Sequence, residues 1–237
     1  MTTQAQRLAG AALVMVLGIW AAERLYSART ALQSHSGVRV PAGKASAPNS
    51  SDLAYALEGS GPDGVVPRPK IPDRLPQFSL ENSAGKATSI ASFGGKSLII
   101  NFWATWCAPC RSEIPLLQTL HDEWAGRDVT VVGIAVDYRG PVLEFAQRYK
   151  IAYPLLIGEQ DALDAAAAFG VVSPVFPFTV FTDRRGEVVA LFIGELHRPQ
   201  AELILSEVQN LNKDLVELKA ARRAIAEGLS ALAQKAS

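Results

Sequence analysis

The chain has 237 residues, 49% hydrophobic and 19% charged, which supplies a packed core and rules out wholesale disorder. Lys and Arg number 23 and so do Asp and Glu, so no basic excess marks a nucleic-acid partner; 18 Gly and 14 Pro exclude collagen-like and low-complexity classes. Two cysteines cannot frame a disulfide-stapled mini-protein, nor close a four-ligand zinc site without the 3 histidines, which lie far away in sequence.

Leu8 to Ala22 (LAGAALVMVLGIWAA) is an unbroken apolar run preceded by Arg7. It is shorter than the roughly 20 residues of a comfortable span, so its length fits a signal-peptide core, a short membrane anchor or a buried core helix. Signal cleavage wants a small residue at the outer position, where Ile19, Trp20 or Tyr26 would stand, and this favours a signal anchor over residues 1–26. Trp20 and Tyr26 suit the headgroup level, and Arg24 can snorkel. Cation counting, with Arg7 before the run and Arg24, Arg29 and Arg39 after it, prefers a cytoplasmic carboxyl side. A signal-like segment at the extreme terminus normally exports the remainder of its chain, and a periplasmic domain is the expectation adopted. Residues 27–76 are rich in Ser, Ala, Gly and Pro without apolar period, the texture of a flexible linker; a loosely packed arm is the alternative.

From Gln77 the texture changes. QFSLEN and ATSIASF flank a Ser-Ala-Gly turn as a short hairpin, and Ser97 to Trp103 (SLIINFW) has the continuous apolar character of a strand buried on both faces. Ile114, Leu117, Leu120 and Trp124 recur at helical spacing from Cys107 to about Ala125, with Gly126 as the expected stop. Val129 to Val136 is the next buried strand, Pro141 to Tyr149 a short helix, Tyr153 to Ile157 a strand and Asp161 to Phe169 an Ala-rich helix. Thr179 to Phe181 and Glu187 to Ile193 form a hairpin around Asp183-Arg184-Arg185-Gly186. This alternation predicts an α/β domain over residues 77–211, with a central mixed sheet flanked by helices. Beyond Arg198, Ile204, Val208, Leu211, Leu215, Leu218, Ile225, Leu229 and Leu232 make a heptad-like stripe interrupted by Arg222. Residues 212–237 are a helical extension whose stripe needs a partner surface, supplied by self-association or by folding back on the same chain.

Both cysteines sit in Trp106-Cys107-Ala108-Pro109-Cys110, where a buried strand meets a helix. Cys107 falls at the helix N-terminus, where free N–H groups and the dipole favour an attacking thiolate. Cys110, one turn inside, is better shielded and suited to resolve a mixed disulfide. Pro109 in the first turn costs the helix nothing. A zinc half-site would lack two soft ligands, and a structural disulfide would close a loop too small to stabilise much, so redox exchange is favoured. No cofactor or metal is expected.

NFWATWCAPC (101–110), followed by Arg111-Ser112-Glu113-Ile114-Pro115, resembles the TlpA/ResA group of membrane-anchored thioredoxin-like thiol–disulfide oxidoreductases. QFSLENSAGKATSIASFGGKSLII upstream and FPFTVFTDRRGEVV downstream are similar to that group's opening hairpin and closing stretch, so the resemblance runs from Gln77 to about Gly194. It implies a thioredoxin fold with an N-terminal hairpin, Cys107 as nucleophile, Cys110 as resolving thiol, and Pro177 as a cis-proline that faces the disulfide and exposes backbone to a peptide substrate. Pro115 is implied to kink the helix. Glu113 matches an acidic position near the thiols; it is either a first-turn carboxylate serving the helix dipole or a proton acceptor for Cys110. Asn101 stands where ordinary thioredoxins carry a buried aspartate, and it cannot take a proton. Phe176 departs from the commoner Thr or Val; with Trp106 it lines the substrate groove or packs against that ring, and Phe178 raises the same question. His121 and His197 are expected as surface or packing residues, not ligands.

The neutral Ala-Pro pair argues against a strong oxidant, and the absence of any further cysteine fits a protein kept reduced in an oxidising compartment. The expected activity is reduction of protein disulfides by an inner-membrane protein facing the periplasm. The resemblance implies recharging by an integral-membrane thiol donor and a role in cytochrome c maturation. A thiol peroxidase is the enzymatic alternative. A non-catalytic tethered interaction module, carried by linker and heptads, is the alternative from another class.

Overall fold

The protein is described by a computed structural model over residues 71–171 and 175–236. The apolar run Leu8–Ala22 and the linker as far as residue 70 lie outside the described residues. Among the described residues no helix is long and apolar enough to cross a membrane.

The strands are β1 (Ser79–Asn82), β2 (Ala87–Ser89), β3 (Ser97–Trp103), β4 (Val129–Val136), β5 (Leu155–Gly158), β6 (Phe178–Thr182) and β7 (Val188–Ile193). They form one sheet in the order β2-β1-β5-β4-β3-β6-β7. β3, β4 and β5 are parallel; β1, β2, β6 and β7 pair antiparallel with their neighbours. Parallel neighbours need crossovers, and two helices supply them: α1 (Ala108–Trp124) joins β3 to β4 and α2 (Arg139–Tyr149) joins β4 to β5, while α3 (Gln160–Ala168) leads from β5 to the antiparallel β6. α4 (Arg198–Asn212) and α5 (Leu218–Ala236) close the chain.

Every residue of β3 is buried, and the period-2 alternation of a strand divides it between two cores. Leu98, Ile100 and Phe102 pack with Ile90, Phe169 and Phe178 on one face. Ile99 and Trp103 pack with α1, α4 and α5 on the other. The apolar stripe of α1 is what the sequence pattern describes: Ile114, Leu117, Leu120 and Trp124 are all buried. The helix stops differently from expectation. It passes through a tight turn at Ala125–Arg127, and the reversal falls on Asp128, at φ 56°, instead of on Gly126. Aspartate tolerates that left-handed conformation, and the Asp128 carbonyl accepts from Ser97 N at 2.9 Å, registering the start of β4 against β3.

Gly133 is the one position of β4 where a side chain is forbidden by its neighbours. A Cβ there would stand 2.7 Å from Leu155 Cδ2, 3.0 Å from Tyr153 Cε2 and 3.2 Å from Trp103 Nε1. Gly133→Val is therefore expected to destabilise the domain by about 1–3 kcal/mol through overpacking, seen as a lower urea midpoint at unchanged slope. An unchanged midpoint would contradict this packing.

One expectation about the ends changes, and one open alternative is decided in favour of folding back. Residues 71–75, placed in the linker by composition, pair with the sheet: Leu75 N donates to Gly186 O at 2.8 Å and Val188 N to Asp73 O at 2.9 Å. The C-terminal stripe is not one helix. The chain breaks at Lys213 to Glu217, with Asp214 at φ 56°, and α5 folds back so that Ala221 and Ile225 are buried against α4 and β7. The interruption at Arg222 has a purpose in that packing. Its guanidinium donates to Val188 O at 3.2 and 2.6 Å and to Asp73 Oδ1 at 3.0 Å, covering the outer edge of β7.

A candidate redox site at the carboxyl end of β3

β3 delivers the chain to Ala104-Thr105-Trp106 at its carboxyl end, and α1 begins immediately afterwards. Asp137, just past β4, holds this loop: its Oδ2 accepts from Thr105 N at 3.1 Å and from Thr105 Oγ1. Cys107 N donates to Ala104 O at 3.2 Å, completing the turn into the helix. Cys107 is the N-cap residue of α1, and its Sγ accepts from Cys110 N at 3.2 Å. The sulfur thus takes the place of a capping oxygen and faces the unpaired N–H groups of the first turn, where negative charge is stabilised. Cys107 and Cys110 are joined as a disulfide with Cα atoms 5.3 Å apart. Cys107 keeps 6% of its surface open and Cys110 none.

Around the open edge the surface is aromatic. Trp106 is 67% exposed, and its ring meets Phe176 edge-on at 6.1 Å. Phe176 stacks on Phe178 at 6.3 Å, and Phe178 on Phe102 at 4.4 Å, so an aromatic column runs from the core to the surface. Phe176 therefore packs against Trp106 and also lines a groove; Phe178 belongs to the core. The Phe176–Pro177 peptide bond is cis, and Pro177 O accepts from Gly194 N at 2.8 Å. A groove of about 440 Å³, which Trp106 just before Cys107 borders, is also lined by Val136, Asp137, Tyr138, Leu163 and Phe176, among others.

Glu113 lies in the second turn of α1, three residues beyond Cys110 on its buried face, and is 1% exposed. This overturns the first-turn dipole reading, because α1 begins at Ala108 and its first turn holds no acid. The carboxylate accepts from Asn101 Nδ2 at 2.7 Å and from Leu196 N at 2.8 Å; Asn101 Nδ2 also donates to Thr179 Oγ1 at 3.0 Å. Burial raises the Glu113 pKa from 4.5 to about 7, the Leu196 and Asn101 hydrogen bonds pull it partly back, and the nearby charge of Glu195 adds to the rise. Asn101 is thus a fixed donor that orients the acid. Tyr153 is buried against the same region, and burial with the Glu113 charge raises its pKa as well. Pro115 sits inside α1 and leaves the Arg111 carbonyl without its usual helical donor.

His121 packs its ring against Tyr153 at 6.2 Å, and His197 is an exposed residue capping α4. Among the described residues no three His, Cys, Asp or Glu side chains converge as a metal site. Sequence reasoning missed Asp137, Tyr153, Thr179 and Leu196. Asp137 had a signal, a lone acid closing the apolar run VTVVGIAV; the other three had none.

The model of the AhpC/TSA family matches residues 71–220, a span that holds both the helix-capping Cys-x-x-Cys and the cis-proline. The chain belongs to the AhpC/TSA family. Within this thioredoxin-like family it is similar to the thioredoxin-like protein YneN of Bacillus subtilis (strain 168), at 33% identity over 133 residues, 54% of this chain and 75% of that one. It is also similar to the thiol-disulfide oxidoreductase ResA of Geobacillus kaustophilus (strain HTA426), at 28% identity over 135 residues, 56% of this chain and 75% of that one. Among solved structures, a DsbF homologue from Corynebacterium diphtheriae matches with a TM-score of 0.50 and 30% identity, over 58% of this chain and 85% of that one. This member of the AhpC/TSA family has a thioredoxin-like fold and is a thiol–disulfide oxidoreductase.

Proposed function

We propose that this oxidoreductase reduces disulfides in protein substrates on the periplasmic side of the inner membrane, drawing electrons from an integral-membrane thiol donor, with cytochrome c maturation as its pathway. The observation that carries the reading is the inequivalence of the two sulfurs: Cys107 is partly open at the helix N-terminus, whereas Cys110 is sealed on the face that carries Glu113.

The chemistry follows from that asymmetry. The Cys107 thiolate attacks a substrate sulfur, the substrate S–S bond breaks, and a mixed disulfide forms while the first substrate thiolate leaves. Cys110 gives its proton to the Glu113 carboxylate and attacks Cys107 Sγ; the second substrate sulfur leaves as thiolate. The substrate gains two electrons and the enzyme becomes the disulfide, which the donor dithiol re-opens by the reverse steps. Trp106, Phe176 and Pro177 bind the substrate segment, with the cis-proline backbone facing the redox pair. Leu8–Ala22 tethers the domain through the linker.

The direction rests on the groups that stabilise the reduced form. Strong oxidants hold their nucleophilic thiolate in an electropositive site. Here the two intervening residues are neutral, and Arg111 directs its guanidinium to Thr105 O at 3.3 Å. Equilibration of the full-length chain in redox buffers is expected to give a midpoint potential near that of thioredoxin, about 150 mV below strong oxidants of the DsbA kind. A value at the oxidant end would defeat the reductase direction while leaving exchange chemistry intact.

A further inference from the structure

Glu113 is sealed inside the protein, yet the exchange proposed above moves a proton onto it and off it. Nearby, four buried atoms lack a hydrogen-bond partner: Asn101 Oδ1, Trp103 Nε1, Tyr153 Oη and His121 Nδ1. Among the described residues one other side-chain atom shares that condition, Gln200 Oε1. Native interiors satisfy such atoms, and water is the usual partner where protein supplies none.

Asn101, Trp103 and Tyr153 meet around Gly133, and His121 adjoins Tyr153 on the far side. Asn101 and Trp103 alternate on β3 toward α1, and Gly133 is the register partner of Asn101 on β4. The space a Cβ of Gly133 would need is bounded at 2.7 Å by Leu155 Cδ2, at 3.0 Å by the Tyr153 ring and at 3.2 Å by Trp103 Nε1, so the edge of the Tyr153 ring and the indole N–H pack close together over it. Gln118 Oε1 accepts from Ala152 N at 2.9 Å and holds the Tyr153 segment against α1, between Glu113 and His121. Eight residues separate those two on α1, about 12 Å along the axis, more than one side chain can bridge. Tyr153 stands in that interval: it senses the Glu113 charge, and its ring meets His121 edge-on at 6.2 Å. His121 has Nδ1 inside and its ring half-exposed, so it crosses from interior to surface.

We propose that Tyr153 and His121, joined by internal water, form the route by which Glu113 exchanges its proton with solvent. The proposal rests on Glu113 receiving the Cys110 proton. When Cys110–SH transfers that proton, Glu113 becomes neutral and Cys110 the thiolate that closes the disulfide. The carboxylic acid then yields the proton to an adjacent water. Tyr153 accepts one proton on its oxygen as it donates its own to the next water, and His121 passes one to bulk. The phenol and imidazole end as they began. Other groups facing Glu113 do not compete for the proton: Asn101 and Thr179 from the sheet are neutral, Leu196 offers a backbone N–H, and Glu195 acts on it only through charge.

The route matters most when Glu113 starts protonated, because it must then empty before Cys110 can react. Stopped-flow oxidation of the reduced full-length chain by a chromogenic nitrobenzoate disulfide separates attack by Cys107 from resolution by Cys110, since each releases one coloured thiolate. Wild type is expected to resolve in a single phase at every pH. Tyr153→Phe keeps the ring over Gly133 and removes only the hydroxyl. Below the Glu113 titration it should split into a small fast phase, from chains with ionised Glu113, and a main phase slowed about tenfold, below the usual range for losing a positioned acid–base group. The fast amplitude should grow as pH rises through that titration. His121→Gln, at the half-exposed outlet, should split the same way and carries the test should Tyr153→Phe fold poorly. Single-phase, wild-type kinetics in a folded variant overturn the route; if Glu113→Gln is slowed in the same assay, the Glu113 assignment stands. If Glu113→Gln resolves at the wild-type rate at every pH, that assignment fails and takes the route with it.

Discussion

Cys107→Ser is expected to abolish disulfide exchange, lowering turnover by at least about a thousandfold, because a serine hydroxyl at the same helix cap is not ionised near neutral pH and cannot form a mixed disulfide. Cys110→Ala should behave differently. Its Cys107 remains at the N-terminus of α1 and still attacks, but no second sulfur releases the substrate, so covalent mixed disulfides accumulate. Non-reducing electrophoresis followed by mass spectrometry reads both outcomes, and the trapped species identify the substrate class. Serine at both positions separates an enzyme from a tethered interaction module: a strain carrying that variant should lose the phenotype of the intact gene. Trapping by Cys107→Ala and not by Cys110→Ala would mean that the assignment of attacking and resolving sulfurs is reversed.

Glu113→Gln is expected to trade catalysis for stability. The Glu113 pKa rises on folding from 4.5 to about 7, so the folded state favours the proton more than the unfolded state does. The wild-type protein is therefore most favoured, as far as this group is concerned, below pH 4.5, and loses stability as pH rises to about 7, by about 3 kcal/mol in all. Glutamine carries no charge to desolvate. Its amide accepts only one of the two donors, Asn101 Nδ2 and Leu196 N, which reduces the gain to about 1–2 kcal/mol at pH 8. Chemical denaturation across pH should show the variant more stable than wild type above neutrality and no more stable in acid. Resolution of a Cys107 mixed disulfide should slow by about a hundredfold, the scale of one positioned proton acceptor. A variant less stable than wild type at pH 8 would mean that the buried carboxylate is not under strain.

Much of the fold is legible in the order of the amino acids. β3 and β4 fall where the apolar runs begin and end, because a strand covered on both faces leaves an uninterrupted signature. The cap at Cys107 is equally local: it needs only a strand, a short loop and the first turn of a helix. The cis bond before Pro177 followed from family likeness; nothing in the composition of FPFTVF marks it.

Other features depend on segments remote in sequence. Glu113 has the spacing of a surface acid near a helix start; it becomes a neutral-range acid because burial by remote parts of the chain desolvates its carboxyl, against the opposing hydrogen bonds from Asn101 Nδ2 and Leu196 N. The heptads past residue 212 were consistent with a second chain, and only the reversal at Asp214 brings them against α4 and β7. Arg222 interrupts a stripe in one dimension and covers a sheet edge in three. Tyr153 has no motif, and its ring packs where it does because Gly133 leaves room on the neighbouring strand.

The sequence alone determined the strands, the helix cap and the paired thiols, because periodicity and capping are set by residues within a few positions of one another. The tertiary structure decided which acid titrates near neutrality, which buried polar atoms are left without a protein partner and what covers the last helix. Burial and charge coupling are sums over neighbours delivered by distant parts of the chain, and no local pattern encodes them.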